Sequence, residues 1–250
     1  MNENVFSGKA EVYMQCRPRY AQGALELIRR ETSLTPDSLI ADIGAGTGIF
    51  TGQLMALGCR VAAVEQNADK RTRIAETAPG AEIISAPAEH TGLPDGSVSL
   101  ITAAESFHWF QQEDFRKECR RILRPDGKVM IVWNLTDKKT ETVRILHELN
   151  IKHCEQYRAL FANGRTLERE RFAEISESFL KSFSTASFKN DLSYDKVQFI
   201  GNRISSSYAP KPGDPEFDDY RTALEAFFEQ HQQNGVIVIP NNTVCFIGKA

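Results

Sequence analysis

Asp42-Ile43-Gly44-Ala45-Gly46-Thr47-Gly48-Ile49 is the stretch whose reading decides the fold. It leaves a short β-branched run, Leu39 to Ile43, and enters an amphipathic one with apolar residues at Ile49, Phe50, Leu54 and Leu57. A glycine-rich string between a strand and a helix is a binding loop, because glycines turn tightly and let a ligand approach the backbone. Two phosphate-holding loops compete for the assignment. A dinucleotide site spaces its glycines G-x-G-x-x-G, which from Gly44 requires glycine where Ile49 stands. A Walker-type loop ends in Gly-Lys-Ser/Thr, and none follows. The spacing here is G-x-G-x-G.

Outward from this loop, short apolar runs alternate with amphipathic ones. Val61 to Val64, Ala81 to Ile84, Ser97 to Ile101 and Lys128 to Val132 read as strands; Asn67 to Thr77 and Glu113 to Leu123 read as helices. Arg124-Pro125-Asp126-Gly127 supplies a helix stop and a turn. Such alternation gives an α/β fold: a Rossmann-like, doubly wound and mostly parallel sheet whose strand C-terminal ends share one ligand-binding edge. One domain over 1–250 is expected, in four parts. Residues 1–37 are an N-terminal arm and a helix from Pro18 to Glu31; 38–134 are the βα core. Residues 135–234 form a largely helical insertion, with helices over Thr140 to Phe161, Thr166 to Leu180 and Ala223 to His231. It also holds a strand-like Phe183 to Phe188 and a Pro-rich loop from Tyr208 to Pro215. Residues 235–250 read as an antiparallel hairpin turning at Pro240-Asn241-Asn242.

The second anchor is Glu65, at the end of the next strand and nineteen residues beyond Gly46. An acid there faces the glycine loop across the sheet edge, where it can accept both hydroxyls of a ribose. The plain alternative is a solvated strand-end glutamate.

Composition excludes several other roles. Lys and Arg number 30 against 33 Asp and Glu, a net charge of −3, so no cation excess exists to displace counterions from nucleic acid. The apolar runs are short, Val129 to Trp133 for example, so no membrane span is expected. Met1-Asn2-Glu3-Asn4 lacks the features of a secretory signal, and a cytoplasmic location is expected. The five cysteines are odd in number and form no CxxC pair, and His147 and His153 are not at the i, i+4 spacing of helix-borne ligands. No metal and no obligate protein partner are expected.

The glycine loop with Glu65 resembles the class I S-adenosylmethionine-dependent methyltransferases. Ala88-Glu89 with Leu93-Pro94-Asp95 resembles their loop after the third strand, Thr102 to Phe110 the stretch after the fourth, and Arg121 to Gly127 the turn before the fifth. Tyr13, Arg17-Pro18-Arg19-Tyr20 and Phe107-His108-Trp109-Phe110 resemble a small-molecule subgroup, the methyltransferase type 11 and trans-aconitate methyltransferase-like proteins. The resemblance implies S-adenosylmethionine as cofactor and a small molecule as acceptor, with a carboxylate among the candidates. It implies that Gly44 and the backbone near Ala104 hold the methionine portion, that Asp42, Ala45 and Gly46 also belong to the cofactor site, that Glu65 takes the ribose, and that Gln66 and Ala88 line the adenine. Tyr13 and Arg17 would reach the methionine carboxylate or cover it; packing of an N-terminal arm is the alternative. Where many members carry Asp before the Ala-Glu pair this chain has Pro87, leaving Glu89 or backbone groups to meet the adenine amino group.

A sulfonium methyl is already activated, so positioning and exclusion of water supply much of such a reaction and no catalytic triad is required. His108 is the candidate general base, since imidazole titrates near neutrality; it could equally orient a carboxylate or pack as a wall residue. Trp109 and Trp133 are candidates for the substrate wall, and Arg203 with Tyr208 for gripping an anionic substrate. Two other functions stay open on this fold: a non-catalytic cofactor-binding regulator, and a nicotinamide-dependent oxidoreductase, which Ile49 and the terminal hairpin oppose.

Overall fold

The computed structural model describes residues 18–137, 139–161, 168–206 and 208–250. In chain order the elements are α1 (Gln22–Glu31), β1 (Leu39–Ile43), α2 (Ile49–Met55), β2 (Arg60–Val64), α3 (Ala68–Thr77), β3 (Glu82–Ile84) and β4 (Val98–Ala104). A 3₁₀ turn (Phe107–Trp109) leads to α4 (Gln112–Ile122) and β5 (Leu123–Thr136). Then come α5 (Glu141–His153), α6 (Glu155–Phe161), α7 (Glu168–Phe179), β6 (Lys181–Lys189), β7 (Leu192–Tyr194), α8 (Lys196–Ile204), α9 (Phe217–His231), β8 (Ile237–Ile239) and β9 (Asn241–Lys249).

The chain divides into two compact units, where the sequence suggests one domain. A sheet unit holds Arg19–Leu135, Arg169–Lys189 and Asn242–Ala250; a helical unit holds Thr136–Glu168 and Asn190–Asn241. The insertion is therefore not all of one kind. Its middle part, α7 and β6, joins the sheet because Phe172, Ile175 and Phe179 pack on the sheet core and β6 pairs along β9.

Within the sheet unit the strand order is β3-β2-β1-β4-β5-β9-β6. The β1–β2, β2–β3, β1–β4 and β4–β5 pairs are parallel. Every residue of β1 is buried, as befits a central strand covered on both faces. Side chains alternate along it: Ala41 and Ile43 meet Phe107, Phe115 and Phe179 on one face, and Ile40 meets Leu25, Phe50 and Leu54 on the other. β1 sits between β2 and β4, so the chain leaves it in opposite directions across the sheet. That reversal opens a crevice at the strand C-terminal ends. Helix α4 stops at Ile122 as the sequence suggests. Arg124-Pro125-Asp126-Gly127, however, lies inside β5, where the pairing with β4 shifts from Val98–Leu123 to Leu100–Lys128 and the segment bulges out.

The antiparallel C-terminal strands are present, but the two arms of the expected hairpin pair elsewhere. β9 runs antiparallel to β6, Ser184 opposite Ile247 and Phe188 opposite Thr243, while β8 runs antiparallel to β7 in a separate two-stranded sheet. Alternation along 235–247 does make strands; the long-range partners Leu192 and Tyr194 decide their pairing.

The helical unit packs α5, α6, α8 and α9 around Leu146, Phe199, Tyr220, Leu224, Phe227 and Phe228. The single helix expected over Thr140 to Phe161 breaks at Cys154, which is extended. Helix α8 begins with a capping box, Asp195 accepting from the Gln198 N–H while the Gln198 side chain accepts from the Asp195 N–H. Cys59, Cys119 and Cys245 of the sheet unit and Cys154 of the helical unit are all buried reduced thiols. Burial pushes Cys245 up to about 12 and Cys154 up to about 11.

Candidate functional site

The glycine loop is fastened to β2 before any ligand arrives. The N–H groups of Gly44 and Ala45 both donate to the Val64 carbonyl, at 2.8 and 3.0 Å. Those two donors are therefore spent on the fold, and the contribution of Gly44 is its shape. Its φ is +66°, and a Cβ there would stand 2.7 Å from the Ser106 Cβ. Ser106 itself donates to the Ile43 carbonyl at 2.9 Å, drawing the turn after β4 against the end of β1. Gly46 differs: its φ is +59°, and a Cβ would meet nothing within 4 Å. Open space lies over Gly46 alone of this pair.

Glu65, buried at the end of β2, faces this opening. Its Oε2 accepts from the Gly46 N–H and its Oε1 from the Asn67 N–H, both at 2.8 Å. A carboxylate offers about four lone-pair sites, so each oxygen can accept a second donor. Arg71 steadies the following turn by donating to the carbonyls of Glu65 and Gln66, at 3.1 and 2.7 Å. The Gln66 side chain is exposed, Ala88 is buried and Ala104 half-buried at the end of β4.

Asp42 was expected beside the ligand and is instead beneath the loop. Its carboxylate is buried and accepts from Thr51 of α2 at 2.6 Å and Thr102 of β4 at 2.8 Å. Burial pushes it up to about 6, against the pull of those two hydroxyls, and the charge of Glu65 raises it further. It locks strand, helix and neighbouring strand together and has no surface to offer. Trp133 needs the same correction. It has no exposed area, stacks on Phe172 at 4.1 Å between ring centroids, and donates its indole N–H to Ser176 at 3.0 Å. It backs the site and cannot touch a substrate.

In front of Trp133 stands His108, half-buried, with its ring 4.7 Å from Trp109, 5.5 Å from Trp133 and 5.5 Å from Phe172. Trp109 is 70% exposed, the most open large apolar side chain among the described residues. Glu89 accepts from the Gln111 N–H at 2.7 Å and so ties the loop after β3 to the start of α4. That loop is braced again by Glu118, which accepts from the Thr91 N–H and hydroxyl and from Arg121. Burial pushes the Glu118 carboxyl up, but the bonds from Arg121 and Thr91 outweigh it and hold it down to about 2.

The structure thus brings Gly44, Ala45, Gly46, Glu65, Gln66, Ala104 and His108 to the strand C-terminal ends of the sheet unit, with Glu89 on the adjoining loop. Arg203 and Tyr208 belong to the helical unit, and Tyr13 and Arg17 lie outside the described residues. Sequence reasoning missed Thr51, Thr102 and Ser106, the hydroxyls that hold the loop from below and behind. Thr102 was legible in principle, as a polar residue inside an apolar strand. It also missed Glu105, whose φ of +53° places a non-glycine residue in the left-handed region directly after β4. Glu105 is fixed there by its own N–H to the Val132 carbonyl at 3.0 Å and by the Asn134 N–H on its carboxylate at 2.5 Å.

Residues 41–131 match a family model described as a methyltransferase domain. The matched stretch contains the glycine loop, Glu65, Ala88, Glu89, Ala104, His108 and Trp109. An uncharacterized methyltransferase-like protein of Schizosaccharomyces pombe is 34% identical over 126 residues, 50% of this chain and 49% of that one. A provisionally assigned methyltransferase of Dictyostelium discoideum is 29% identical over 182 residues, 71% of this chain and 67% of that one. The chain spans about half the length of the first curated relatives it matches. Among solved structures, a provisionally assigned type II methyltransferase from Anaeromyxobacter dehalogenans superposes with a TM-score of 0.67 at 21% identity. That alignment covers 93% of this chain and 97% of the other, and it carries the fold. Among the described residues, no helix is long and apolar enough to cross a membrane, and no three His, Cys, Asp or Glu lie together as metal ligands.

Proposed function

We propose that the sheet unit binds S-adenosylmethionine across the ends of β1 and β2 and that the protein transfers its methyl group to a small-molecule acceptor. The single observation that carries this reading is the pairing of Gly46 with Glu65. The glycine leaves room above the loop, and the carboxylate across from it keeps one lone pair per oxygen, the number a vicinal pair of ribose hydroxyls needs. The residues present therefore fit the nucleoside. Gln66 and Ala88 flank the adenine in this reading, and Glu89, already tied to Gln111, presents its remaining acceptor capacity to the adenine amino group. When bound, the cofactor supplies an electrophilic methyl on a positively charged sulfur.

The chain's own part is to orient and to keep water out. Trp109 and His108, backed by Trp133 and Phe172, form an aromatic wall beyond β4, and such rings favour a neighbouring cation. His108 takes the acceptor's proton where the acceptor is a neutral hydroxyl or amine; for an acceptor that is already a carboxylate it only orients. Within the wider family, the match to the type 11 domain and the Phe107-His108-Trp109-Phe110 stretch favour the trans-aconitate methyltransferase-like subgroup, and a cytoplasmic site of action fits that reading.

Calorimetry with S-adenosylhomocysteine tests the cofactor assignment. Exchange of Glu65 for alanine removes two charge-assisted acceptors and should weaken binding by about 1.5–3 kcal/mol, roughly ten- to a hundredfold. Equal affinity in wild type and variant sinks the ribose assignment. For His108, the asparagine variant should keep cofactor affinity and lose the alkaline rise in methyl transfer to a neutral acceptor; an unchanged pH profile reduces His108 to a wall residue.

A further inference from the structure

Among the described residues of the sheet unit, three acids are buried, and they differ in what meets them. Glu118 is paired with Arg121 at 2.8 Å. Glu65 meets two backbone N–H groups. Asp42 meets the hydroxyls of Thr51 and Thr102, one on each oxygen, and no cation pairs with it among the described residues. Two oxygens that each accept a hydroxyl proton are the surroundings of an ionised carboxyl. A hydroxyl also accepts, so rotation of one threonine hydroxyl accommodates the protonated form as well. Asp42 is a buried group that the fold lets carry its charge but does not balance.

The elements around it bring no compensating charge. Helix α2 and strand β4, whose hydroxyls hold Asp42, carry no charged side chain. Strand β2 leads into Glu65, whose negative charge raises Asp42 further, and its Arg60 stands at the opposite end. Arg71 of α3 is spent on the carbonyls of Glu65 and Gln66. On α1, over the same face, Glu26 and Arg30 are exposed, Arg29 donates to the Ala56 carbonyl and Glu31 accepts from Lys128. Past β4, Glu105 accepts from the Asn134 N–H and His108 lies among aromatic rings. The end of β1 therefore lacks a positive charge, and low-dielectric surroundings make that lack felt at a distance. S-adenosylmethionine and S-adenosylhomocysteine share their nucleoside and amino acid portions. They differ by a methyl group and one positive charge on sulfur. We propose that Asp42, acting from beneath the glycine loop without touching the ligand, makes the site prefer the sulfonium cofactor to its neutral product. This rests on the methyl-transfer reading and adds to it a reason for the product to leave. As the methyl carbon passes to the acceptor, the carbon–sulfur electron pair stays on sulfur and the charge that Asp42 attracts is gone.

Calorimetric titration of the whole protein with each of the two ligands, in steps from pH 5 to 7 and without an acceptor, tests this. Glu65 serves the ribose of both, so its own titration cancels from the ratio of their affinities. Asp42 passes from protonated to ionised near 6 in the fold. The preference for S-adenosylmethionine over S-adenosylhomocysteine should therefore rise roughly tenfold as pH rises across that range. Asp42→Asn should hold the ratio flat at its acid value. Thr102→Val, which takes a hydroxyl from the ionised form, should move the rise to higher pH. Where the asparagine variant does not fold, the valine variant carries the test together with the ¹³C resonance of the Asp42 carboxyl in the wild type. That resonance should titrate at a lower pH with S-adenosylmethionine bound than with S-adenosylhomocysteine bound. A ratio independent of pH in the wild type, or a rise that survives Asp42→Asn, overturns the proposal, while binding of the ligands keeps the methyl-transfer reading standing. Equal weakening of both ligands by the variant, with the ratio's pH dependence unaltered, marks a structural role and overturns it too. If neither ligand binds at any pH, the cofactor reading falls and the proposal with it.

Discussion

Asp42 of the sheet unit is a carboxyl drawn fully out of water and Arg203 of the helical unit a half-buried guanidinium, and the two are served differently. Under the glycine loop, Asp42 has two hydroxyls on it, as Glu65 has two backbone N–H groups and Glu118 has Thr91 and Arg121. In the helical unit, Arg203 keeps a buried N–H without an acceptor. The sheet unit is arranged in advance: its loop needs no ligand to hold its shape, so binding there costs little ordering.

The sharpest way to break this contrast is to add one carbon to the loop. Gly44→Ala puts a Cβ against Ser106 at a positive φ and should cost about 2–4 kcal/mol of stability, read by urea unfolding. Gly46→Ala carries only the backbone strain, about 1–2 kcal/mol, yet should remove most cofactor affinity because its Cβ fills the space left for the ligand. If Gly46→Ala binds S-adenosylhomocysteine normally, the opening above the loop is not where the cofactor lies.

Next in size is the response to pH. Asp42 titrates near 6 in the fold, above its ordinary 3.8, so the native state holds more protons than the unfolded chain between those values. Its contribution is complete below about pH 4 and is lost as pH rises through 6, by roughly 2–3 kcal/mol. Asp42→Asn keeps an acceptor for one of the threonines and should flatten that part of the stability profile. A slope unchanged in the variant would assign it to other carboxyls. The smallest expected effect is in the helical unit: Tyr157→Phe loses the bond to His147 and should lower stability by about 1 kcal/mol, with a shift in the His147 imidazole resonances as the local readout.

The glycine loop and Glu65 were readable because each is local: a spacing, then an acid at the next strand end. The parallel core was readable for the same reason, since alternation and turn residues mark its elements one at a time. What escaped depends on partners far along the chain. Asp42 looks like a ligand contact until Thr102, sixty residues away, is seen to take one of its oxygens. Trp133 looks like a substrate wall until Phe172 and Ser176 cover it. The arms around Pro240 alternate like a hairpin, yet β8 finds Leu192 to Tyr194 and β9 finds β6, a choice that strand propensity does not encode. Arg203 was legible as a residue but not as an unbalanced charge, because only the packed helices show what fails to reach it.

The buried thiols have a practical consequence. Cys59, Cys119 and Cys245 sit in the sheet unit and Cys154 in the helical unit, each shielded from water and, in all four, made less acidic by burial. A thiolate-seeking dye can reach any of them only when the surrounding structure opens. The rate at which each sulfur is tagged is thus a clock for local opening, and the chain comes with separate clocks for its two halves, set without engineering a single probe.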